Sequence, residues 1–475
     1  VNAVNAVNAS AVLRNRPYAA IRVGDTASLV RTLTRVDIKS FALISGDLNP
    51  THVDDDYVAR HGDGRLHAHH MWAGALISSV LGNELPGPGT VYLGQTLTFE
   101  KQPCADDTIT ATVIVREKDD DGRRVVFDCR CVNQDGDVVA HGTAQVRAPE
   151  SAIEMPRPAV GTMAVQLHDK FAPLLRAADA IEAIPTAVVH PCSESALEAA
   201  VQAAERGLIV PILVGPEARM RSLARQTGLD LSRFRVIDAE HSHAAAEAAV
   251  ALVRAGEAEL LMKGSLHTDE LLGAVVAREA GLRTERRLSH VFLMDVPTYP
   301  KLLLITDAAI NIAPTLEDKR DICQNAIDLA RVIGIARPKV AILSAVETIN
   351  PKIPSTTDAA SLCKMADRGQ IEGALLDGPL AMDNAINLEA AQVKGICSEV
   401  AGDPDIVLVP DLEAGNILAK QLTFMAQADA AGIVLGSRVP IVLTSRADSV
   451  RARLASCAVA ALAATARRVP AKLAA

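Results

Sequence analysis

Thr108-Ile-Thr-Ala-Thr-Val-Ile-Val-Arg-Glu117 is rich in β-branched residues, the composition of an extended strand. Residues 90–99, 124–133 and 138–147 share that composition, and Asp121-Gly122 and Asp135-Gly136 supply turns between neighbours. Just upstream, residues 69–81 carry apolar side chains at helical spacing. A helix followed by a run of antiparallel strands predicts an α+β domain whose sheet packs on that helix.

Further upstream lies Phe41-Ala-Leu-Ile-Ser-Gly-Asp-Leu-Asn-Pro-Thr-His52. Gly46, Asn49 and Pro50 suit a bent backbone, and within the bend Asp47 stands five residues before His52. A carboxylate and an imidazole so placed can hold one water between a proton acceptor and a proton donor, which is what adding water across a double bond requires. An Asx-type turn with a surface histidine has the same spacing.

The form of the motif narrows the reading. Ser45-Gly-Asp-Leu-Asn-Pro-Thr-His-Val-Asp54, with Tyr57 after it, resembles the signature of MaoC-like enoyl-CoA hydratases. The resemblance continues through Ala68-His-His-Met71 and Gly94-Gln-Thr-Leu-Thr-Phe99 and fades near Pro149. It implies a hot-dog fold for residues 21–150, a long helix wrapped by an antiparallel sheet, with Asp47 and His52 as catalytic pair and Asn49 in the substrate site. The family polarises the thioester carbonyl with the backbone N–H of a glycine in Ala-His-Gly-Met. Here His70 holds that position. It keeps the N–H and adds a side chain where substrate approaches.

The chain has 475 residues, enough for two or three domains. Apolar residues make up 49% and aromatics only 3%, so Ala, Val, Leu and Ile must fill the cores. The net charge of −9 comes without a basic tail, which argues against a nucleic-acid partner. No apolar run is long enough to span a bilayer, so no membrane partner is expected. The opening Val-Asn-Ala triplets lack the regions of a signal peptide. Residues 1–20 are therefore read as a disordered or artificial extension, and a cytoplasmic location is expected. The eight cysteines are scattered, which fits reduced thiols. His61, His67, His69 and His70 near Asp54-Asp-Asp56 lack a recognised ligand spacing, so no metal site is expected.

Residues 151–162, with Pro156, Pro158 and Gly161, read as a linker. Beyond them the pattern changes. Short apolar runs at 186–190, 259–263, 301–310, 339–344, 373–377, 406–410 and 440–444 alternate with amphipathic helices. This predicts a parallel sheet with helices on both faces. The length of residues 163–475 points to two α/β lobes.

Open α/β sheets bind ligands beyond the carboxyl ends of their strands. Four such junctions are polar. In the first, Lys263 can neutralise a phosphate, Gly264 permits close backbone approach and Thr268 can cap the next helix. The second carries Asp307 and Asn311, and the third Asn416. In the fourth, Thr444-Ser-Arg-Ala-Asp-Ser449, Ser445 and Arg446 leave the strand and Asp448 or Ser449 can cap. A guanidinium beside a helix N-terminus suits phosphate, and four clusters in one sheet system suggest a phosphorylated ligand.

Leu261-Met-Lys-Gly264, Leu288-Ser-His-Val291, Val296-Pro-Thr-Tyr299, residues 306–314, Asp377-Gly-Pro-Leu380, Ala414-Gly-Asn-Ile417 and residues 444–449 together resemble the phosphate acetyl/butyryltransferase family. The resemblance runs from about Met163 to the C-terminus. It implies acyl transfer between coenzyme A and inorganic phosphate, through an acyl phosphate, in a cleft between two lobes. The partners are then acyl-CoA as a substrate, phosphate and acyl phosphate, with no tightly bound cofactor. Ser445 and Arg446 fall on the family's Ser-Arg motif. In the acetyltransferase branch a catalytic aspartate lies six residues past that arginine, where this chain has Ala452. Its acidic residue is Asp448, in a pattern closer to the butyryltransferase branch, where it serves as base or as helix cap.

Two other readings stay open. The hot-dog domain is a non-catalytic dimerisation or acyl-CoA-sensing module, or the chain is a nicotinamide-dependent dehydrogenase. The second lacks a Gly-x-Gly-x-x-Gly after a strand. A lone hot-dog completes its site by pairing, so a homodimer or larger symmetric oligomer is expected.

Overall fold

Trp72, Ala73, Leu76, Ile77, Val80 and Leu81 are buried on one helix, Met71–Asn83, and the N-terminal part of the protein is built around it. The structure is a computed structural model. It describes residues 12–156, 169–443 and 449–468, and counts below refer to these. The chain divides into two compact units, residues 1–167 and 168–475.

In the first unit the strands are β1 (Val12–Arg14), β2 (Thr26–Thr32), β3 (Val91–Phe99), β4 (Thr108–Asp119), β5 (Arg124–Val132), β6 (Val138–Arg147) and β7 (Glu154–Pro156). Five of them make an antiparallel sheet in the order β2-β4-β5-β6-β3. The two-residue period puts Ile109, Ala111, Val113 and Val115 of β4 inside. Val125, Phe127, Cys129 and Cys131 of β5 join them beneath the helix. Each large apolar side chain buried this way contributes about 1.5–3 kcal/mol. Burial pushes the Cys129 and Cys131 thiols up to about 12, and both are free. This is the helix-and-sheet arrangement expected of a hot-dog.

The stretch expected to be an extension holds structure from residue 12. β1 pairs antiparallel with β7, which lies inside the expected linker. The Asn15 side chain locks the pair, donating to the Ser151 carbonyl at 3.0 Å and accepting from the Ile153 N–H at 2.7 Å. A three-residue strand whose partner is some 140 positions away leaves no periodic trace in sequence.

In the second unit the strands are β8 (Ile184–Val189), β9 (Ile209–Gly215), β10 (Arg235–Asp238), β11 (Leu260–Lys263), β12 (Ser289–Asp295), β13 (Leu303–Thr306), β14 (Lys339–Leu343), β15 (Leu375–Leu380), β16 (Ile406–Leu408), β17 (Asp429–Leu435) and β18 (Ile441–Val442). All belong to one sheet, ordered β10-β9-β8-β11-β18-β17-β12-β13-β16-β14-β15. It is mostly parallel, in two blocks. β17 and β12 run antiparallel to their neighbours and join the blocks. Neither joining strand is anticipated above. β17 contains Gly432, which weakens a strand signal. The structure shows why glycine stands there: a Cβ would lie 2.7 Å from the Leu443 carbonyl oxygen and 2.8 Å from His290 Nε2.

The reversal has a consequence for ligand sites. β11, β18 and β12 end at one edge of the sheet, whereas β13, β16, β14 and β15 end at the other. The four polar junctions are therefore two pairs on opposite edges.

Candidate active sites

In the first unit, Thr34 and Asp37 form a capping box at the start of helix Arg35–Ser45, and Gly46 ends it at φ 76°. This left-handed exit, which glycine adopts freely, turns the chain into the loop that carries Asp47. The Asp47 Oδ1 accepts the Asn49 N–H at 3.3 Å. Asn49 caps the short helix Pro50–Val53, accepting from the Thr51 N–H. His52 lies on that helix and is buried.

The other carboxylate oxygen, Asp47 Oδ2, lies 3.6 Å from His52 Nε2 and 3.1 Å from His69 Nε2. Backbone contacts fix which ring nitrogens carry hydrogen. His52 Nδ1 lies 2.6 Å from the His67 carbonyl and must donate, leaving Nε2 bare in the neutral ring. His69 Nδ1 accepts the Met71 N–H at 3.0 Å, so its Nε2 carries the hydrogen and donates to Asp47. Opposite tautomers thus meet at one carboxylate oxygen. The 3.6 Å gap exceeds a direct hydrogen bond and suits a bridging water.

His70 stands at the N-terminus of the central helix without capping it. Its ring packs 5.0 Å from that of Phe99, and its buried Nδ1 has no partner among the described residues. Burial, with His69 and His52 nearby, holds the His70 pKa below its ordinary value.

In the second unit, Ser445, Arg446 and Asp448 lie outside the described residues. Their flanks are placed. Leu443 follows β18, and the Ser449 hydroxyl caps helix Val450–Arg468 through the Ala452 N–H at 3.1 Å. Ala452 is buried in that helix. Lys263 closes β11. Gly264 permits close approach as anticipated, but to backbone: a Cβ would lie 2.4 Å from the Val189 carbonyl oxygen. Thr268 does not cap. It is the first residue of helix Thr268–Val275, whose N-cap is His267, and the Glu270 carboxylate accepts the His267 N–H at 3.2 Å.

On the opposite edge, Asp307, Asn311 and Asn416 do come together. The Asp307 carboxylate gathers the N–H groups of Ala309, Ile310 and Asn311, and burial raises its pKa. The Asn311 amide donates to Leu288 O at 2.8 Å and accepts from Arg287 Nε at 2.8 Å. Asn416 donates to Ala308 O at 3.2 Å. The trio shapes a loop whose Asn311 lines a cleft of about 650 Å³ together with four arginines, Arg283, Arg286, Arg287 and Arg320, and four acids, Glu285, Glu317, Asp318 and Asp321.

Two features escape the sequence reading. One is that arginine-lined cleft, whose only linear trace is Arg283-Thr-Glu-Arg-Arg287. The other is Arg451, which pairs with Asp169, with Asp295 at 3.4 Å and with Asp429 at 3.7 Å. Lys170 joins the fully buried Asp295 at 2.7 Å. An arginine in the first turn of a helix opposes the helix dipole, a signal that acids from elsewhere hold it.

Over 299 residues, 63% of this chain, it is 65% identical to a phosphate acetyltransferase of Rhizobium meliloti, spanning 95% of that protein. The chain belongs to the phosphate acetyl/butyryltransferase family. The family model described as phosphate acetyl/butaryl transferase matches residues 243–461, and that of the MaoC like domain matches residues 23–131. A branched-chain phosphotransacylase from Enterococcus faecalis V583 aligns at 32% identity and a TM-score of 0.52, over 59% of this chain and 99% of that one. The R-hydratase PhaJ1 from Pseudomonas aeruginosa is 36% identical, covering 32% of this chain and 99% of its own, at a TM-score of 0.32. This member of the transferase family therefore carries a MaoC-like hot-dog domain ahead of its family domain. Among the described residues, no helix is long and apolar enough to cross a membrane.

Proposed function

We propose that the second unit transfers acyl groups between coenzyme A and inorganic phosphate. The observation that carries this is 65% identity along 95% of a phosphate acetyltransferase. The coenzyme A sulfur attacks the carbonyl carbon of acyl phosphate, the tetrahedral intermediate collapses, and phosphate leaves. Arg446 orients the phosphate through paired charge-assisted hydrogen bonds. Ser445 and N–H groups at the start of helix Val450–Arg468 stabilise the developing oxyanion. With Ala452 buried and aliphatic, Asp448 takes the thiol proton. Lys263, at the end of β11 on the same edge of the sheet as the end of β18, meets the phosphates of coenzyme A. No tightly bound cofactor takes part. Arsenate-driven breakdown of acetyl-CoA tests the proposal, and intact thioester after prolonged incubation with arsenate would refute it.

We further propose that the first unit hydrates 2-enoyl-CoA. The meeting of His52 and His69 at Asp47 supports this reading. Water held between Asp47 and His52 attacks C3, and the pair returns a proton to C2. The His70 N–H polarises the thioester carbonyl. The expected outcome with crotonyl-CoA is loss of enoyl absorbance. A chain that transfers acyl groups yet leaves crotonyl-CoA unchanged would make the first unit a scaffold or acyl-CoA sensor. We propose a homodimer or larger symmetric oligomer in the cytoplasm.

A further inference from the structure

Asp63, His67 and Cys104 meet beside the hydratase pair, although Cys104 lies 37 residues from His67 in sequence. An isolated antiparallel bridge pairs the backbones of His67 and Cys104 and brings the thiol to the imidazole. Asp63 Oδ1 lies 3.0 Å from His67 Nε2, and Cys104 Sγ lies 3.5 Å from His67 Nδ1. One ligand atom from each residue falls within 4.8 Å of the other two. The two contacts fall on different nitrogens of the His67 ring and a metal takes only one, so binding requires the set, whose atoms lie within 4.8 Å of one another, to close by about an ångström around a single nitrogen, since tetrahedral zinc holds its ligand atoms roughly 3.3–3.8 Å apart.

We propose that Asp63, His67 and Cys104 form a binding site for zinc(II) or a similar thiophilic divalent cation. The donor set fits in kind. Thiolate and imidazole select zinc over magnesium or calcium. A carboxylate, a thiolate and a neutral imidazole balance a dication, and the thiol proton goes to solvent on binding. Cys104 is buried, His67 half-buried and Asp63 exposed, so the site opens to solvent at one side, where water completes the fourth position. A neighbouring cation, Arg65, is held on Asp107 at 2.9 Å and on the Ala105 carbonyl at 2.7 Å. Asp107 in turn accepts the Cys104 N–H at 2.8 Å, which fixes the backbone of the sulfur ligand.

The ion would brace residues 62–67. His67 is also the residue whose carbonyl takes His52 Nδ1–H, so the brace acts where the proposed hydratase pair is anchored. The metal site itself rests on side-chain placement alone and stands or falls apart from the hydratase reading.

The test is titration of the metal-free full-length chain with zinc against a chromophoric chelator, repeated with cobalt(II). The expected wild-type result is a cobalt–thiolate charge-transfer band in the near ultraviolet. Cys104→Ser should abolish that band and lower zinc stoichiometry by one per chain. Asp63→Asn, a surface change, should weaken zinc binding by about tenfold or more. A wild-type chain without the thiolate band, or variants that take up zinc like the wild type, would overturn the proposal.

Discussion

His69 Nε2 lies 3.1 Å from Asp47 Oδ2, nearer than His52 Nε2 does at 3.6 Å. Its hydrogen is directed at that oxygen by the Met71 N–H on the other ring nitrogen. His69 therefore holds the carboxylate while His52 is left to face water. His69→Ala should lower kcat for hydration of crotonyl-CoA by about tenfold, roughly 1.4 kcal/mol. His69→Gln, which keeps an N–H donor, should recover most of it. Unchanged rates in both variants would remove His69 from the site.

His70 occupies a place where the MaoC-like pattern has glycine, and its ring, whose buried Nδ1 has no partner among the described residues, packs on Phe99. His70→Gly retains the backbone N–H and removes the obstruction. We expect kcat/KM for enoyl-CoA to rise severalfold while phosphate-dependent acyl transfer is unaltered. A fall in hydration would show that the imidazole itself serves the reaction.

Gly264→Ala tests the role of a glycine at a strand end. The added Cβ would meet carbonyl oxygens of Val189 and His190 at 2.4 and 2.6 Å, both backbone atoms that cannot swing aside. We expect a loss of about 2–4 kcal/mol in stability, read as a lowered midpoint in denaturant, with KM for acyl-CoA little changed in the folded fraction. A stable variant with a raised KM would assign Gly264 to the ligand.

Burial holds the His290 pKa down to about 3, against an ordinary 6.5. Between those values the unfolded chain binds a proton at this position and the folded chain does not. Its contribution to stability is therefore intact above about pH 6.5 and falls as the pH drops through that value towards 3. The thermal midpoint of the second unit should decline on acidification from pH 7 to 5, and His290→Gln should flatten the decline. Equal slopes for both proteins would show that other groups govern it.

Much of this was legible in the sequence because local chemistry decided it. The strands from residue 90 to 147 announce themselves by β-branched composition and turn pairs, and Asp47 and His52 sit in one short motif. Partners set by long-range pairing were not legible. β12 and β17 reverse the sheet and place the junction after β11 and the junction after β13 on opposite edges, which no local pattern encodes. In the sequence His69 stands only within Ala68-His-His-Met71 and among histidines without ligand spacing, with no role of its own, because its role depends on the tautomer that the Met71 N–H imposes. Arg451 reads as one charge on an alanine-rich helix until Asp169, Asp295 and Asp429 arrive from three other segments.

The most direct test of the account is phosphate-dependent release of free thiol from acetyl-, butyryl- and acetoacetyl-CoA by the full-length chain and by Arg446→Ala. We predict rapid release by the wild type with at least one of these thioesters, and a loss of about a hundredfold or more in kcat for the variant. Wild-type release that does not depend on phosphate, or a variant as fast as the wild type, would contradict the assignment of acyl transfer to the Ser445-Arg446 segment.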